Sequence, residues 1–182
     1  MQERQSQVVR QRFSYLLAAI AIFVIDQFTK YLATRYLDTG LVYGESLPII
    51  NGFFHLTYVE NAGIAWGLFA DAGRGGKFVL GAISIIAATG IILYAVRTPV
   101  SERWTHWGLT LILGGVLGNL TDRLNHGAVV DFLDFTIGSY KWPTFNIADM
   151  AISLGALILI VDALRSSPED SRPQPVQSLS NE

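Results

Sequence analysis

Cysteine is absent from the 182-residue chain, which excludes disulfides, thiolate nucleophiles and thiolate-bound metals. Histidine occurs three times, at His55, His106 and His126, and never with the spacing of a His-Glu-x-x-His metal site. The sequence also contains no Gly-x-Ser-x-Gly elbow of a serine hydrolase. A Ser-Lys dyad with Lys30 or Lys141 would need a buried, neutral lysine. We therefore expect neither a metal nor an organic cofactor.

Charged residues are also scarce, at 15% of the chain with a net charge of -2. The 13 basic residues are scattered rather than collected into a stripe with aromatic residues, so a nucleic-acid partner is not expected. What the chain has instead is hydrophobic residues, which make up 51% of it. That share is high for a soluble domain and predicts a membrane protein.

Four apolar stretches stand out, and the first, second and last approach the length of about 20 residues that a helix needs to cross a bilayer. The third is shorter and must extend through Trp104 and Asp122 to span. The four stretches predict four transmembrane helices, at about 13–32, 78–96, 104–122 and 147–164, in a single membrane domain of residues 1–165. The first stretch could also be a cleaved signal peptide, but Asp26 and Lys30 follow without an Ala-x-Ala-like site, so we expect an uncleaved anchor. Residues 166–182 are rich in Ser, Pro and Gln and are expected to be a disordered cytoplasmic tail.

Basic residues near the ends of the spans predict the orientation, because cytoplasmic segments carry more Lys and Arg. The arginines in question precede the first span, fill the short second connection and follow the fourth span: Arg4, Arg10, Arg12, Arg97, Arg103 and Arg165. Both termini are therefore expected in the cytoplasm. The first and third connections should lie on the outer side.

The first connection is long and predicts a small sheet on the outer face. Residues 48–50 and 53–59 have strand composition, and Asn51-Gly52 between them predicts a type I′ turn. Residues 62–70 are apolar but short and are followed by a glycine-rich break, which predicts a short interfacial helix. The predicted fold is an all-α membrane protein with a small extracytoplasmic β-sheet cradle and this short helix.

Two aspartates carry the functional argument, Asp131 in Val-Val-Asp-Phe and Asp149 in Phe-Asn-Ile-Ala-Asp. Both fall where predicted spans meet the outer face, and carboxylates at membrane depth are costly enough to mark function. If they share a site, repulsion keeps both from ionising, so one can hold a proton while the other activates water. That is the chemistry of an aspartic protease.

Each aspartate also has a simpler interpretation. Asp149 follows Asn146 by three residues, as does an acid in the first turn after a helix N-cap. Asp131 could be an ordinary loop carboxylate. Separately, hydrolysis needs water at membrane depth, so we expect irregular backbone between 125 and 145 to line a wet cavity. Asp26 and Lys30 are four residues apart, which suits a structural ion pair with the lysine extending outward.

Other polar and small residues have alternatives of the same kind. Asp134 lies three residues after Asp131 and is a candidate for the same roles. Arg123 either marks the membrane boundary or holds Asp122 together with a substrate carbonyl or phosphate. Gly114 and Gly118 have the small-xxx-small spacing of close helix packing.

Five short blocks, taken together, resemble the lipoprotein signal peptidases, the type II signal peptidases of bacteria. They occur in the family's order at 26–30, 60–65, 118–123, 129–132 and 145–149. Trp66 and Met150 depart from residues frequent in the family, where Phe and Ser are common. Neither departure removes a functional group.

The resemblance implies an intramembrane aspartyl endopeptidase on the outer side of the bacterial cytoplasmic (inner) membrane. Such an enzyme removes signal peptides from diacylglyceryl-modified prolipoproteins by cutting just before the lipidated cysteine. It implies Asp131 and Asp149 as the catalytic pair, with no metal, and a monomer whose partners are the prolipoprotein and membrane lipids. Residues implied to bind substrate or support the site are Asp26, Asn61, Gly63, Asn119, Asp122, Arg123 and Asn146.

Two other functions fit intramembrane carboxylates. A carrier could relay protons through Asp26, Asp131 and Asp149, but it should place polar groups on both faces, and this chain gathers them on one. A non-catalytic assembly subunit would tolerate Asn at both aspartates, and an enzyme would not. Within the enzyme hypothesis, the helix dipole at the start of the fourth span favours an ionised Asp149, which leaves Asp131 as the proton-bearing partner.

Overall fold

The computed structural model describes residues 1–39, 43–63 and 73–165, and within them it contains four helices and four strands. In chain order these are α1 (Gln2–Leu37), β1 (Tyr43–Ile50), β2 (Phe54–Asn61), α2 (Gly73–Arg97), α3 (Arg103–Asn125), β3 (Val129–Ile137), β4 (Tyr140–Lys141) and α4 (Ile147–Arg165). Apart from its first two residues, the helix predicted at 62–70 lies outside the described residues, as does the tail from 166 to 182.

Among the described helices, three are long and apolar enough to cross a membrane: α1, the Val79–Arg97 part of α2, and α4. The 23-residue α3 is about 34 Å long at 1.5 Å per residue, enough for a hydrocarbon core of about 30 Å, but it is less apolar. It packs against α1, α2 and α4, and much of its surface is buried. Because its side chains face protein on several sides, α3 can carry polar residues that a lipid-facing helix could not.

Helix α1 extends beyond the predicted span at both ends, from Gln2 to Leu37 instead of 13–32. Residues 2–12 contain no Gly or Pro and include several strong helix formers, so the helix continues before the apolar run starts. Near this end the Arg12 guanidinium donates to the carbonyls of Ala95, Val96 and Thr98 at 3.2, 3.2 and 3.4 Å, which satisfies acceptors at the end of α2.

The strands form one antiparallel arrangement in the order β1-β2-β3-β4. The predicted hairpin is present, but its turn differs: Ile50 pairs with Phe54, so the loop has three residues and not two. The Phe53 N–H donates to the Ile50 carbonyl at 3.0 Å, and Gly52 has a φ of 73°, in the left-handed region that favours glycine.

The expectation of irregular backbone between 125 and 145 is wrong, because Val129–Ile137 forms strand β3, which pairs with β2. This segment is rich in β-branched and aromatic residues, which suits a pleated strand. Its partner β2 lies about 70 residues earlier in the chain, so the pairing depends on tertiary structure. Asp131 is consequently a strand residue opposite Val59, and the loop interpretation is also wrong.

The sheet rests on the end of α1. Ala33 and Leu37 of α1 form one buried cluster with Tyr58, Val130 and Phe132 of the sheet. This contact fixes β3 beside the end of the helical bundle.

Helices α1 and α3 pack closely against each other. A Cβ on Gly114 of α3 would come within 2.8 Å of the Ala19 carbonyl of α1, so the predicted small-residue packing is confirmed there. Helices α1 and α3, the start of α4, and strand β3 thus converge at one end of the molecule.

Candidate active site

Asp131 projects from β3 into this convergence and is 2% exposed. Asn146 Nδ2 donates to its Oδ1 at 2.7 Å, and Asn61 Nδ2 donates to its Oδ2 at 3.0 Å. The Gly63 N–H donates to Asn61 Oδ1 at 3.1 Å, which directs the amide nitrogen of Asn61 toward Asp131. Both carboxylate oxygens are thus held by neutral amides.

Asp149 occupies the first turn of α4, and Asn146 caps that helix. Asn146 Oδ1 accepts the Asp149 N–H at 3.0 Å, while Asp149 Oδ2 accepts the Asn146 N–H at 3.3 Å. This reciprocal pair has the form of a capping box, so the capping interpretation of Asp149 is confirmed. The cap leaves Asp149 Oδ1 to accept Asn119 Nδ2 at 2.8 Å. Capping and membership of the polar cluster are therefore compatible.

A single buried residue, Asn146, contacts both aspartates. It is fully buried, and besides Asp131 its Nδ2 lies 3.2 Å from Asn119 Oδ1 and 3.2 Å from the Val130 carbonyl. Its backbone and side chain fix Asp149, and its amide nitrogen fixes Asp131. The two carboxylates therefore flank one rigid residue.

Lys30 lies behind the aspartates and is 3% exposed. Its Nζ lies 2.8 Å from Asp26 Oδ2, 2.9 Å from Asp122 Oδ2 and 2.8 Å from Asn119 Oδ1, which satisfies all three of its donors. The predicted Asp26–Lys30 ion pair is confirmed. The outward extension of the lysine is wrong, because buried acceptors hold its amino group inside.

This ion cluster orients a residue that touches the aspartates. Since Asn119 Oδ1 accepts from the Lys30 ammonium, the amide nitrogen of Asn119 faces Asp149. Sequence reasoning did not name Lys30 as a site residue. The signal was available, because a lysine at membrane depth four residues after an aspartate is costly unless it is paired for a purpose.

The same cluster ties together the elements that carry the aspartates. Asp26 Oδ1 accepts the Ala148 N–H of α4 at 2.8 Å, and Asp122 Oδ2 accepts the Val130 N–H of β3 at 3.2 Å. Gln27, also missed from sequence, donates to Asp122 Oδ1 at 2.9 Å. The predicted residues Asp26 and Asp122 thus brace the start of α4 and the strand, respectively.

Arg123 and Asp134 occupy different surroundings. Arg123 Nη1 donates to the Asn119 carbonyl at 3.3 Å, and its buried Nε has no hydrogen-bond partner within the described ranges. Asp122 bonds instead to Lys30. Asp134 lies on the opposite face of β3 from Asp131, where it accepts from the Thr57 hydroxyl at 3.0 Å and pairs with Lys141 at 3.0 Å. Asp134 is therefore separate from the cluster around Asp131.

The electrostatics of Asp131 suit proton sharing. Burial, and secondarily the nearby Asp149 carboxylate, raise its pKa to about 7, while hydrogen bonds from Asn61 and Asn146 oppose the shift. The strand carboxylate is therefore partly protonated near neutral pH. The direction agrees with the expectation that Asp131 holds the proton.

An apolar groove of about 460 Å³ opens beside Asp149. Its other lining residues come from the end of the sheet and from α4: Phe135, Ile137, Trp142, Phe145, Met150 and Ser153. Phe135 stacks on Phe54 at a ring-centroid distance of 4.6 Å and on Phe145 at 5.8 Å. A larger cavity of about 660 Å³ lies near Glu102 and Asp162, at the other end of the bundle. Only the smaller space contains one of the two aspartates.

The family profile described as signal peptidase (SPase) II, peptidase family A8, matches residues 18–165. The chain belongs to the signal peptidase II family. It is therefore a peptidase of the aspartic class, and the resemblance inferred from the five sequence blocks is confirmed.

Relatives and a solved structure support the same family. The lipoprotein signal peptidase of Syntrophus aciditrophicus (strain SB) is 43% identical to this chain, over 86% of this chain and 96% of the relative. That of Francisella tularensis subsp. mediasiatica (strain FSC147) is 42% identical over 86% and 95%, respectively. A solved structure described as a bacterial membrane enzyme is 29% identical, with a TM-score of 0.75 over 90% of this chain and 94% of that chain. Together with the three membrane-length helices, these likenesses make the chain a bacterial membrane protein.

Proposed function

We propose that Asp131 and Asp149 are the catalytic pair of this signal peptidase II. The observation that carries the proposal is their shared contact with Asn146, a fully buried residue that fixes both carboxylates. The raised pKa of Asp131 adds to it, because an aspartic peptidase needs one protonated and one ionised carboxylate at working pH.

The activity of the relatives indicates the substrates of this enzyme. Lipoprotein signal peptidases at 42–43% identity indicate that this enzyme removes signal peptides from prolipoproteins. We propose that the prolipoprotein carries a diacylglyceryl group on the cysteine after the cleavage point and that the cut falls just before this cysteine. The apolar groove beside Asp149 supports a lipidated substrate.

In the proposed mechanism Asp149 is the base. It stands at the N-terminus of α4, where its carboxylate oxygens accept hydrogen bonds from the Asn146 N–H and from Asn119 Nδ2. It removes a proton from a water as the water oxygen attacks the scissile carbonyl carbon. Protonated Asp131 donates a hydrogen bond to the carbonyl oxygen, on which negative charge develops.

The second half of the reaction restores the pair. The tetrahedral intermediate collapses as the carbon–nitrogen bond breaks, and the proton taken by Asp149 passes to the departing amine. The products are a carboxylate end on the signal peptide and a new amino terminus on the lipidated cysteine. We assign Arg123 to substrate binding, since its guanidinium donates to the Asn119 carbonyl next to the pair and such a group can hold a carbonyl oxygen by charge-assisted hydrogen bonds.

We propose four transmembrane spans with both termini in the cytoplasm of a bacterium, and with the catalytic pair at the outer face of the inner membrane. The length of α3, about 34 Å, and its central position among α1, α2 and α4 support a fourth span. The arginines near the N-terminus and after α4 support the orientation. The enzyme is proposed to work as a monomer, because both aspartates and their supports come from one chain.

The test compares wild type with Asp131→Asn and Asp149→Asn, each purified in detergent, on a diacylglyceryl-modified prolipoprotein peptide. We expect each variant to lose at least about a hundredfold in turnover, the typical contribution of acid–base catalysis. Asp134→Asn is the matched control, because Asp134 is a buried aspartate on the same strand with its side chain on the other face. All variants are checked for folding by thermal unfolding.

Two outcomes would contradict the assignment. One is near-wild-type turnover by a folded Asp131→Asn or Asp149→Asn variant. The other is a loss in Asp134→Asn as large as that at the proposed pair.

A further inference from the structure

Two adjoining spaces lie at the end of the bundle away from the proposed catalytic pair. The first, the far cavity, has a volume of about 660 Å³ and is bounded by the end of α2, the start of α3 and the end of α4. The second, the far groove, has a volume of about 210 Å³ and lies between α3 and α4. Trp104 and Asp162 line both spaces. At 1.5 Å per residue, Asp162 lies about 20 Å further along α4 than Asp149.

The two spaces differ in chemical character. The far groove is lined mainly by apolar side chains of α4, those of Leu157, Ile158 and Val161. These residues precede Asp162, so in the proposed orientation the groove runs from the cavity back toward the middle of the membrane. The far cavity contains charged groups, among them the carboxylates of Glu102 and Asp162. A charged cavity at the end of the bundle thus continues into an apolar groove at membrane depth.

The charges in the two spaces have both signs. Glu102 and Asp162 supply two carboxylates, and Arg103 in the cavity and Arg165 in the groove supply two guanidinium groups. The hydroxyl of Thr105, a residue 7% exposed, donates to Asp162 Oδ2 at 2.6 Å, which holds this carboxylate between α3 and α4. Because the two signs are balanced, a ligand with one positive and one negative group complements the site better than an anion or a cation does.

The form of the site limits the ligand to an amphipathic one. It must carry an ammonium for the carboxylates, an anionic group for the arginines and an apolar chain for the groove. A zwitterionic phospholipid has these three parts in this order. A primary ammonium suits the carboxylates better than a trimethylammonium does, because it has three hydrogen-bond donors. Trp104, which is 58% exposed between the two spaces, is a residue type that lies at the level of lipid headgroups.

We propose that the far cavity binds the headgroup of a zwitterionic phospholipid with a primary amine, and that one acyl chain of this lipid lies in the far groove. The lipid belongs to the cytoplasmic leaflet, a placement that rests on the orientation given under the proposed function. It is not a substrate, since the catalytic pair lies near the other face. The lipid joins α3 to α4 where Thr105 and Asp162 meet, so it stabilises the bundle without taking part in the reaction.

The first experiment measures which lipid binds. The purified protein in detergent is titrated with phosphatidylethanolamine, phosphatidylcholine or phosphatidylglycerol, all with dioleoyl chains, and binding is followed by native mass spectrometry. Charge-assisted hydrogen bonds favour the primary amine, and water in an open cavity screens them, so we expect a Kd about fivefold lower for phosphatidylethanolamine than for the other two. Equal binding of the three lipids would overturn the proposal.

Asp162→Asn tests the carboxylate. Asparagine keeps an oxygen that can accept from Thr105, so the contact between α3 and α4 is retained while the charge is lost. We expect the variant to lose the preference for phosphatidylethanolamine over phosphatidylcholine. Glu3→Gln is the matched control, because Glu3 is an exposed acid on α1 that lines neither space. A wild-type preference in Asp162→Asn, or an equal loss in Glu3→Gln, would contradict the assignment.

The second experiment locates the acyl chain. A phosphatidylethanolamine with a photoreactive diazirine in one chain is bound to the protein in detergent, irradiated, and its attachment points are mapped by mass spectrometry. We expect labels concentrated on Trp104 and within 157–165. Labels spread evenly over the exposed faces of α1, α2 and α4 would show general solvation by lipid and overturn the proposal.

Leu157→Trp narrows the far groove, and Ile86→Trp is its matched control. Leu157 is 55% exposed in the groove, whereas Ile86 is 71% exposed on α2 and lines neither space. We expect labelling of 157–165 to fall several-fold in Leu157→Trp and to stay at the wild-type level in Ile86→Trp. Unchanged labelling in Leu157→Trp would place the chain elsewhere.

Failure of this proposal can be distinguished from failure of the proposed function. If wild type cleaves the lipidated peptide but binds the three phospholipids equally, the lipid site fails and the peptidase assignment stands. If wild type binds phosphatidylethanolamine selectively in the far groove but leaves the lipidated peptide uncut, the peptidase assignment fails and the lipid site stands.

Discussion

Lys30 offers the sharpest test of the polar cluster. Replacing it by Met keeps a long unbranched side chain but removes the ammonium that Asp26, Asp122 and Asn119 share at 2.8–2.9 Å. Asp26 is fully buried and Asp122 is 4% exposed, so the variant would leave two buried carboxylates without their cation. Removing one partner of a buried ion pair costs about 3–5 kcal/mol. We expect Lys30→Met to lose stability in this range.

The matched control is Lys141→Met. Lys141 also pairs with a buried aspartate at 3.0 Å, but its side chain is 62% exposed, so water screens the pair. Exposed ion pairs contribute at most about 1 kcal/mol. Free energies of unfolding of both variants are measured by SDS titration in mixed micelles. If Lys30→Met lowers the free energy of unfolding no more than Lys141→Met does, the conclusion that Lys30 stabilises the polar cluster is refuted.

Two further predictions concern the pKa of Asp131 and the packing of α3. Asn61→Ala removes a hydrogen bond that lowers the pKa of Asp131, so this pKa should rise above about 7. Since the carboxyl group then keeps its proton to higher pH, the fall of kcat/KM on the alkaline side should move to higher pH; a pH–rate profile that moves the other way contradicts this. Gly118→Ala would place a Cβ against Asp26 and should cost about 1–3 kcal/mol. Gly90→Ala, with no heavy atom within 4 Å of the new Cβ, should stabilise by up to about 1 kcal/mol; equal melting temperatures for the two alanine variants would refute the close approach.

Local patterns predicted the helices better than the sheet. Apolar runs located α1, α2 and α4, because a lipid-facing helix must be apolar along its whole length. The β1–β2 hairpin was visible from Asn51-Gly52, although its loop is one residue longer than expected. Strand β3 was missed, since its pairing with β2 depends on contacts between distant parts of the chain.

The two aspartates of the candidate site and the asparagines beside them were predicted from the sequence, and the buried lysine behind them was not. The sequence blocks placed Asp131, Asp149, Asn119 and Asn146 at one site, and in the structure these four residues share one hydrogen-bond network. The burial of Lys30 was not predicted. Its cost at membrane depth indicated a partner, but an i, i+4 ion pair on a helix is compatible with either an exposed or a buried lysine. Burial is decided by Asp122 and Asn119, which reach Lys30 from another helix.

The low hydropathy of α3 and the burial of Lys30 have the same cause. A site that hydrolyses a peptide bond beside lipid needs buried polar groups, and each of these needs a hydrogen-bond partner. Helix α3 supplies Asn119 to Asp149 and Asp122 to both Lys30 and β3. A helix face exposed to lipid cannot carry such residues cheaply, so they fall on faces that pack against protein. Helix α3, which contacts α1, α2 and α4, has more buried residues than any of the other described helices. Reduced hydropathy in α3 therefore follows from its central position, and the polar residues that make it a poor membrane helix by composition are the ones that join the two aspartates to the rest of the fold.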